Sequence, residues 1–374
     1  MREFISRLLE EDLWSYLARA EKRIFLYGMG NGADKVLAVC RARGIAVEGV
    51  FASDGFVRGQ SFQSMRVLRW SDVKSRYGAE QVIVLLSFAT TLPDVMENVR
   101  QIAAEAELYV PDVPAFGEGL FDAVYVREHR KELEETAALF ADERSREVFW
   151  RVVAFRLSGR LEHLYAAWDP QEETVRALIR PATLRRALDL GAYNGDSVRR
   201  LISDIEAAGG VPERVWAMEP DARTFRKLEA YAAGETRAEV LPVCAAAWAR
   251  DEALSFDGSG NRNSSVGENR SQVLSDRPMR IRTVEGRAPD GVLAGACVDY
   301  IKYDVEGSEL PALEGSYQTI EHGHPLLAVS LYHRVEDLWR LPLYIKRTHS
   351  AYQRFYLRLP PGIPAWDLML YCGV

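Results

Sequence analysis

The segment ALDLGAYNGDSV, residues 187–198, ends an apolar run in Asp189 and follows it with a turn holding Gly191, Asn194 and Gly195 before helix-forming residues resume. Glycine lets a backbone take positive φ and come close to a ligand, and the first turn of the next helix offers N–H groups with no partner inside the helix. Further on, VWAME brings Glu219 to the end of a second apolar run. A carboxylate there suits a ribose diol, because it can accept from both hydroxyls. A third run ends at Val243–Ala246, small and apolar, suited to bracketing an adenine ring. A fourth, DYIKYDVEGSE, closes on Asp304 and Glu306, with Glu309 beyond them. If these runs are parallel strands of one sheet, their ends converge on one crevice.

The elements needed to position these residues are legible as a strand–helix alternation. Strands are predicted at 186–190, 215–218, 240–244, 300–303 and 326–331, with helices at 197–208, 224–233 and from 308 to 315. Residues 251–272 read as a polar loop rich in Gly, Asn and Ser, and the closing YLRLPPGIPAWDLMLYCGV as a hairpin. Such an alternation implies a mostly parallel sheet covered on both faces. The front of the chain repeats the theme. One helix is expected over residues 1–20, then strands at 24–27, 47–51 and 81–87 around a helix at 35–43. Between the halves, EHRKELEETAALFADERSREVFWRVVAFRLSGRLEHLYAAW is charged and rich in helix formers, and reads as two helices broken at Ser158–Gly159. The expected organisation is a doubly wound domain over 1–125, a packed helical connector over 126–182 and a second α/β domain over 183–374.

Residues 183–374 resemble the FkbM-type S-adenosylmethionine-dependent methyltransferases. The matching pieces are DLGAYNGDSV, AMEPDARTFRKL, NRNSSVGE, DYIKYDVEGSELPALEG and LLAVSLYHRVEDLWRLP, with Tyr193-Asn194 an unusual pair in the turn. The resemblance implies a class I methyltransferase fold and S-adenosylmethionine as cofactor. It implies that Asp189, Gly191, Asn194 and Gly195 surround the cofactor's methionine part, that Glu219 holds the ribose, that Cys244 and Ala245 line the adenine, and that Asp304 lies near the methyl group. It also implies a hydroxyl acceptor on a sugar, a glycan or a secondary metabolite. Methyl transfer rests chiefly on positioning, but an alcohol must lose its proton as it attacks, so a base helps. The candidates are His333, Asp304, Glu306 and Glu309. An unperturbed histidine titrates near neutrality, so His333 is the expected base, with a rate that rises near pH 6–7. Asp304, Glu309 and His333 are also metal-ligand types, although no metal is expected. The loop NRNSSVGENRSQ, with its amides, hydroxyls and arginines, suits a polar acceptor.

The front segment YGMGNGADKV carries Gly28-x-Gly30-x-x-Ala33 between a strand and a helix, with Asp54 after the next strand, a dinucleotide-type turn. It loosely resembles the nucleotide- or sugar-binding front domains of bacterial sugar-modifying enzymes. The alternative function is therefore a nucleotide- or nucleotide-sugar-binding, dehydrogenase-like protein that acts through this domain. The intact acids Asp189, Glu219 and Asp304 favour the methyltransferase reading, with the front domain a scaffold or a dimerisation unit in a homo-oligomer. Composition bounds the remaining choices. The 374 residues carry a net charge of −7, which argues against a nucleic-acid partner. The four cysteines, Cys40, Cys244, Cys297 and Cys372, form no C-x-x-C pair, and reduced thiols are expected. No run reaches the ~20 apolar residues that a membrane span requires, and the N-terminus lacks a signal-peptide core, so a cytoplasmic location without membrane insertion is expected.

Overall fold

The computed structural model describes residues 3–169, 172–257, 265–266 and 281–374. The front half holds β1 (Arg23–Tyr27), β2 (Val47–Ala52), β3 (Ser61–Phe62), β4 (Met65–Arg69), β5 (Val82–Leu86) and β6 (Glu107–Tyr109). They form one sheet in the order β3-β4-β2-β1-β5-β6, parallel except for the β3–β4 pair. The strand β5, VIVLL, is buried along its whole length, as its unbroken apolar sequence requires of a central parallel strand.

The back half holds β7 (Arg186–Leu190), β8 (Arg214–Met218), β9 (Glu239–Val243), β10 (Ala246–Ala247), β11 (Glu252–Asp257), β12 (Ser265–Val266), β13 (Ile281–Arg287), β14 (Tyr300–Tyr303), β15 (Leu326–Ser330), β16 (Arg354–Arg358) and β17 (Met369–Gly373). Seven of these make a sheet in the order β16-β17-β15-β14-β7-β8-β9. Its strands are parallel except β17, which runs against both β15 and β16 and forms the expected hairpin with β16. The chain leaves β7 toward β8 on one side and reaches β14 on the other. That reversal opens a crevice at the carboxyl ends of β7 and β14. Both halves are doubly wound α/β units, and the second has the class I methyltransferase arrangement.

Several expectations are corrected. In place of one helix, the described residues 3–20 hold two short ones, Glu3–Leu8 and Leu13–Leu17, the second capped by Asp12, which accepts from the Ser15 N–H at 2.8 Å. The segment between the sheets holds five helices, Ala123–Glu128, Arg130–Leu139, Glu143–Ser158, Leu161–Ala167 and Glu172–Ile179. Two of the breaks coincide with local caps. Asp142 accepts from Ser145 N–H, and Gly159 takes the left-handed conformation (φ 64°) that ends the longest helix. Part of the polar stretch after residue 251 is strand: β11 and β13 pair antiparallel and, with β10 and β12, make a small separate sheet. The rest of NRNSSVGENRSQ, apart from β12, lies outside the described residues.

Candidate active site

The turn after β7 is built by sterics. Gly191 has φ 86°, and a Cβ on it would run into the Asp304 carbonyl oxygen at the end of the neighbouring β14. The two strand ends can therefore close against each other only through glycine. Tyr193 also has positive φ (48°), and Gly195 (φ 86°) faces the Tyr231 ring, leaving no room for a side chain. Asn194 turns back on the loop, its Oδ1 accepting from the Asp196 N–H at 3.2 Å.

Below this turn Asp189 is buried, accepting from Ser197 Oγ at 2.5 Å and lying 3.5 Å from Lys302 Nζ. Lys302 stands directly across from Asp189 in the β7–β14 register, and its Nζ also lies 3.1 Å from Asp304 Oδ2. Burial alone would pull the ammonium toward neutrality, but the two carboxylates hold it well above the usual lysine range. Asp304 in turn accepts from Ser330 Oγ at 2.8 Å and Tyr332 Oη at 3.0 Å. Burial opposes its charge, yet Lys302 and His333 keep its carboxyl well below the usual range, so it stays an anion. Lys302, Ser197 and Tyr332 were not singled out in the sequence. A lysine inside the apolar strand YIKY, on the same face as Asp304, was the signal for the first.

At the end of β8, Glu219 is buried, and its two carboxyl oxygens accept from Asp221 N–H at 2.8 Å and Tyr193 N–H at 3.1 Å. Burial pushes its carboxyl up to about 7, against the pull of those N–H groups. Asp221 caps the helix Ala222–Gly234 by accepting from Arg223 and Thr224 N–H.

His333 departs from expectation. It is 1% exposed, with Nδ1 at 2.8 Å from Glu309 Oε1 and Nε2 at 3.4 Å from Glu306 and 3.8 Å from Asp304. Burial disfavours the imidazolium, but the charges of Glu309, Glu306 and Asp304 outweigh it and raise the histidine to about 10. An imidazole already protonated at neutral pH does not take a proton near pH 6–7, so its expected role as general base is withdrawn. It is instead a buried group hydrogen-bonded to Glu309, with Glu306 and Asp304 facing its other nitrogen. Nδ1 is hydrogen-bonded to Glu309, whereas Nε2 is buried without a hydrogen-bond partner. Among the described residues no group of three His, Cys, Asp or Glu side chains is arranged to hold a metal ion. Glu309 is as deeply buried as His333 and also accepts from the Val305 N–H at 2.8 Å, which makes it a structural anchor. Glu306 differs: it has φ 54°, borders the open cavity, and is pushed up to about 8 by burial.

These strand ends surround a cavity of about 890 Å³. Gly191, Tyr193, Met218 and Glu219 line one end, and Lys302, Asp304, Glu306 and Tyr332 the centre. The far end runs out between the helix Glu172–Ile179 and the terminal hairpin, past Arg358 and Met369, with Thr91 from the front half. At the third strand end the sequence reading is off by two residues. Cys244 is exposed and Ala245 is packed into the core, whereas Ala246 and Ala247 face the cavity. β10 starts three residues after β9 and carries this pair of alanines. Asp189, Asn194, Gly195, Glu309 and His333 support the wall without bordering the space. The front turn at Gly28–Ala33 does not border it either.

The strand order and the acid-edged crevice define a class I methyltransferase domain. Residues 189–358 match the family model for the methyltransferase FkbM domain, and this part of the chain belongs to that family. A methyltransferase FkbM from Methylobacillus flagellatus KT shares the fold over 100% of this chain and 94% of its own, with 18% identity and a TM-score of 0.67. An rRNA methylase from Streptococcus thermophilus matches at 10% identity, 55% of this chain, 96% of its own and a TM-score of 0.33. Aeropyrum pernix fibrillarin, solved with natively bound S-adenosyl-L-methionine, matches at 12% identity, 53% of this chain, 73% of its own and a TM-score of 0.30. No curated protein matches the sequence significantly. No helix among the described residues is long and apolar enough to cross a membrane.

Proposed function

We propose that this methyltransferase uses S-adenosylmethionine and methylates a hydroxyl oxygen of a sugar, a glycan or a secondary metabolite. The observation that carries the reading is one cavity with Glu219 at one end and Asp304 and Glu306 at its centre. Its volume is of the size that takes a cofactor together with a small acceptor. The residues fit the cofactor: Glu219 is placed for a ribose diol, Ala246 and Ala247 leave flat space for a purine, and the carboxylates of the centre suit a sulfonium. When bound, S-adenosylmethionine supplies an activated methyl group. The chain's own work is then to hold an acceptor oxygen in line and to receive its proton. Glu306 is the group for the second task, because among the acids around His333 it both borders the cavity and is pushed up to about 8 by burial, so that it can exchange a proton near neutral pH. Asp304, fixed by Lys302, Ser330 and Tyr332, supplies fixed negative charge beside the reacting centre.

Isothermal calorimetry with S-adenosylhomocysteine tests the cofactor site. Binding is expected, and Glu219→Ala should weaken it by about 1–3 kcal/mol, the scale for losing charged hydrogen bonds. Equal affinity in the two proteins would remove Glu219 from the ribose site. No heat with either would sink the cofactor assignment.

A further inference from the structure

The front half meets His333 and the turn after Glu306 through Phe116. The segment that leaves β6 is fastened at its start, where Val110 N–H donates to the Gly159 carbonyl at 2.8 Å. Lys35, on the front helix Asn31–Ala42, then donates from Nζ to the Pro114 carbonyl at 2.8 Å and the Ala115 carbonyl at 2.5 Å. The next residue, Phe116, is thereby set against the back half. Its N–H donates to the His333 carbonyl at 2.9 Å, and its ring meets the imidazole edge-on with centroids 5.6 Å apart. Tyr332 covers the imidazole as well, with centroids 4.1 Å apart. Phe116 also sits on the turn that carries Glu306. A Cβ on Gly307 (φ 90°) would lie 2.9 Å from Phe116 Cβ, so the contact exists only because residue 307 is glycine. On its other side the same turn is held by Arg334 Nε, which donates to the Gly307 carbonyl at 2.7 Å.

We infer that Phe116, delivered by the front half, is a positioning residue of the methyl-transfer site: it seals the imidazole of His333 from water and fixes the Glu306–Gly307 turn. The inference rests on the methyl-transfer reading of this site for its purpose, but its geometry stands on the contacts above. The physical reason is dielectric. An imidazolium among carboxylates interacts strongly only where water is excluded. The groups that face it are Asp304 and Glu306 after β14, Glu309 on the following helix and Asp337 on the helix Asp337–Thr348, with Arg334 beside it. Without the Phe116 ring, water would enter between the imidazole and these carboxylates and weaken their hold. A front half that binds nothing would still have a task in the reaction, that of completing the wall of the site.

The test is NMR titration of the full chain labelled on histidine rings, with the His333 resonance assigned from the His333→Gln variant, and calorimetry with S-adenosylhomocysteine beside it. In the unaltered protein His333 should stay protonated through pH 8. In Phe116→Ala its midpoint should fall by about one unit or more toward the ordinary value of ~6.5, and Phe116→Leu should restore most of the shift. Lys35→Met, which frees the segment without touching the ring, should move the midpoint the same way by less. It carries the test should Phe116→Ala fail to fold. A midpoint unchanged in Phe116→Ala, or in Lys35→Met when that protein does not fold, overturns the inference. Because Phe116 does not border the cavity, affinity for S-adenosylhomocysteine should stay within about twofold, and a tenfold loss would make Phe116 a binding element instead. If the unaltered protein does not bind S-adenosylhomocysteine, the cofactor reading falls, and the histidine titration still decides the role of Phe116.

Discussion

The side chains that the sequence marks as reactive are shared between two tasks by their burial. Asp304 and Glu306 border open space, whereas His333 and Glu309 are sealed beneath them as an ion pair. Residue types and strand-end positions were legible in the sequence. The protonation of His333 was not, because it depends on three carboxylates that arrive from two different elements and on aromatic rings that exclude water. The consequence can be measured. A group whose folded-state pKa is raised lends stability that is complete below its unfolded value and is lost as pH rises through the folded one. For His333 that window runs from the ordinary ~6.5 to about 10, and for Glu306 it ends at about 8. Both slopes have the same sign, so the melting temperature should fall steadily between pH 7 and pH 10. In His333→Gln the fall should be shallower, on a base lowered by about 3–5 kcal/mol, since the variant leaves buried carboxylates without their cation. Equal slopes in the two proteins would show that His333 is neutral in the fold. The same assignment places the rise of any methyl-transfer rate near pH 8, where Glu306 loses its proton, and not at pH 6–7.

At the scale of elements, the strands of both sheets were readable because buried parallel strands are short apolar runs ended by glycine or acid. The connector was harder: helix-forming composition is continuous from 123 to 167, and the breaks depend on individual caps such as Asp142 and Gly159. The small sheet of β10 to β13 has little local pattern because β11 and β13 mix polar with apolar residues and pair across a long excursion of the chain. The glycine turns separate sites that are sterically required from sites that only look so. In the front turn Gly30 has φ −157°, open to any residue, and nothing lies within 4 Å of a Cβ placed there. Two residues on, a Cβ at Gly32 would strike the Ser87 carbonyl oxygen. Gly30→Ala should therefore cost about 1 kcal/mol or less, the price of a poorer helix N-cap. Gly32→Ala should cost about 1–3 kcal/mol or more from overpacking. Gly191→Ala, which combines positive φ with a collision against Asp304, should also displace the strand end that carries Asp304 and Glu306. Urea denaturation of the three variants gives the order; a Gly30→Ala variant as unstable as Gly32→Ala would refute the steric account.

The whole molecule behaves as more than two units in a row. A single cluster of buried apolar side chains runs from Phe25 and Val84 in the front sheet through Phe149 and Phe155 in the connector to Leu188, Ile301 and Leu370 in the back sheet. Ion pairs shielded from water cross the same boundaries. Arg156 on the connector reaches Asp112 of the front half at 2.7 Å and the Val335 carbonyl of the back half at 3.4 Å. Arg358, 6% exposed on β16, meets Asp142 at 2.6 Å and Asp169 at 3.2 Å from the connector. The sequence showed that the joint lacks a Gly- or Ser-rich linker, but not that the joint is core, because contacts between segments more than a hundred residues apart leave no local pattern. A continuous core predicts cooperative melting. Scanning calorimetry should give one transition whose calorimetric and van't Hoff enthalpies agree, in place of two separate domain transitions. Arg156→Met should then lower that single transition as a whole, since it strands the Asp112 carboxylate in a shielded site at a cost of about 3–5 kcal/mol. If the halves were merely tethered, the unaltered protein would already melt in two steps, and the variant would shift at most one of them. Either result would remove the basis for assigning the front half a part in the site.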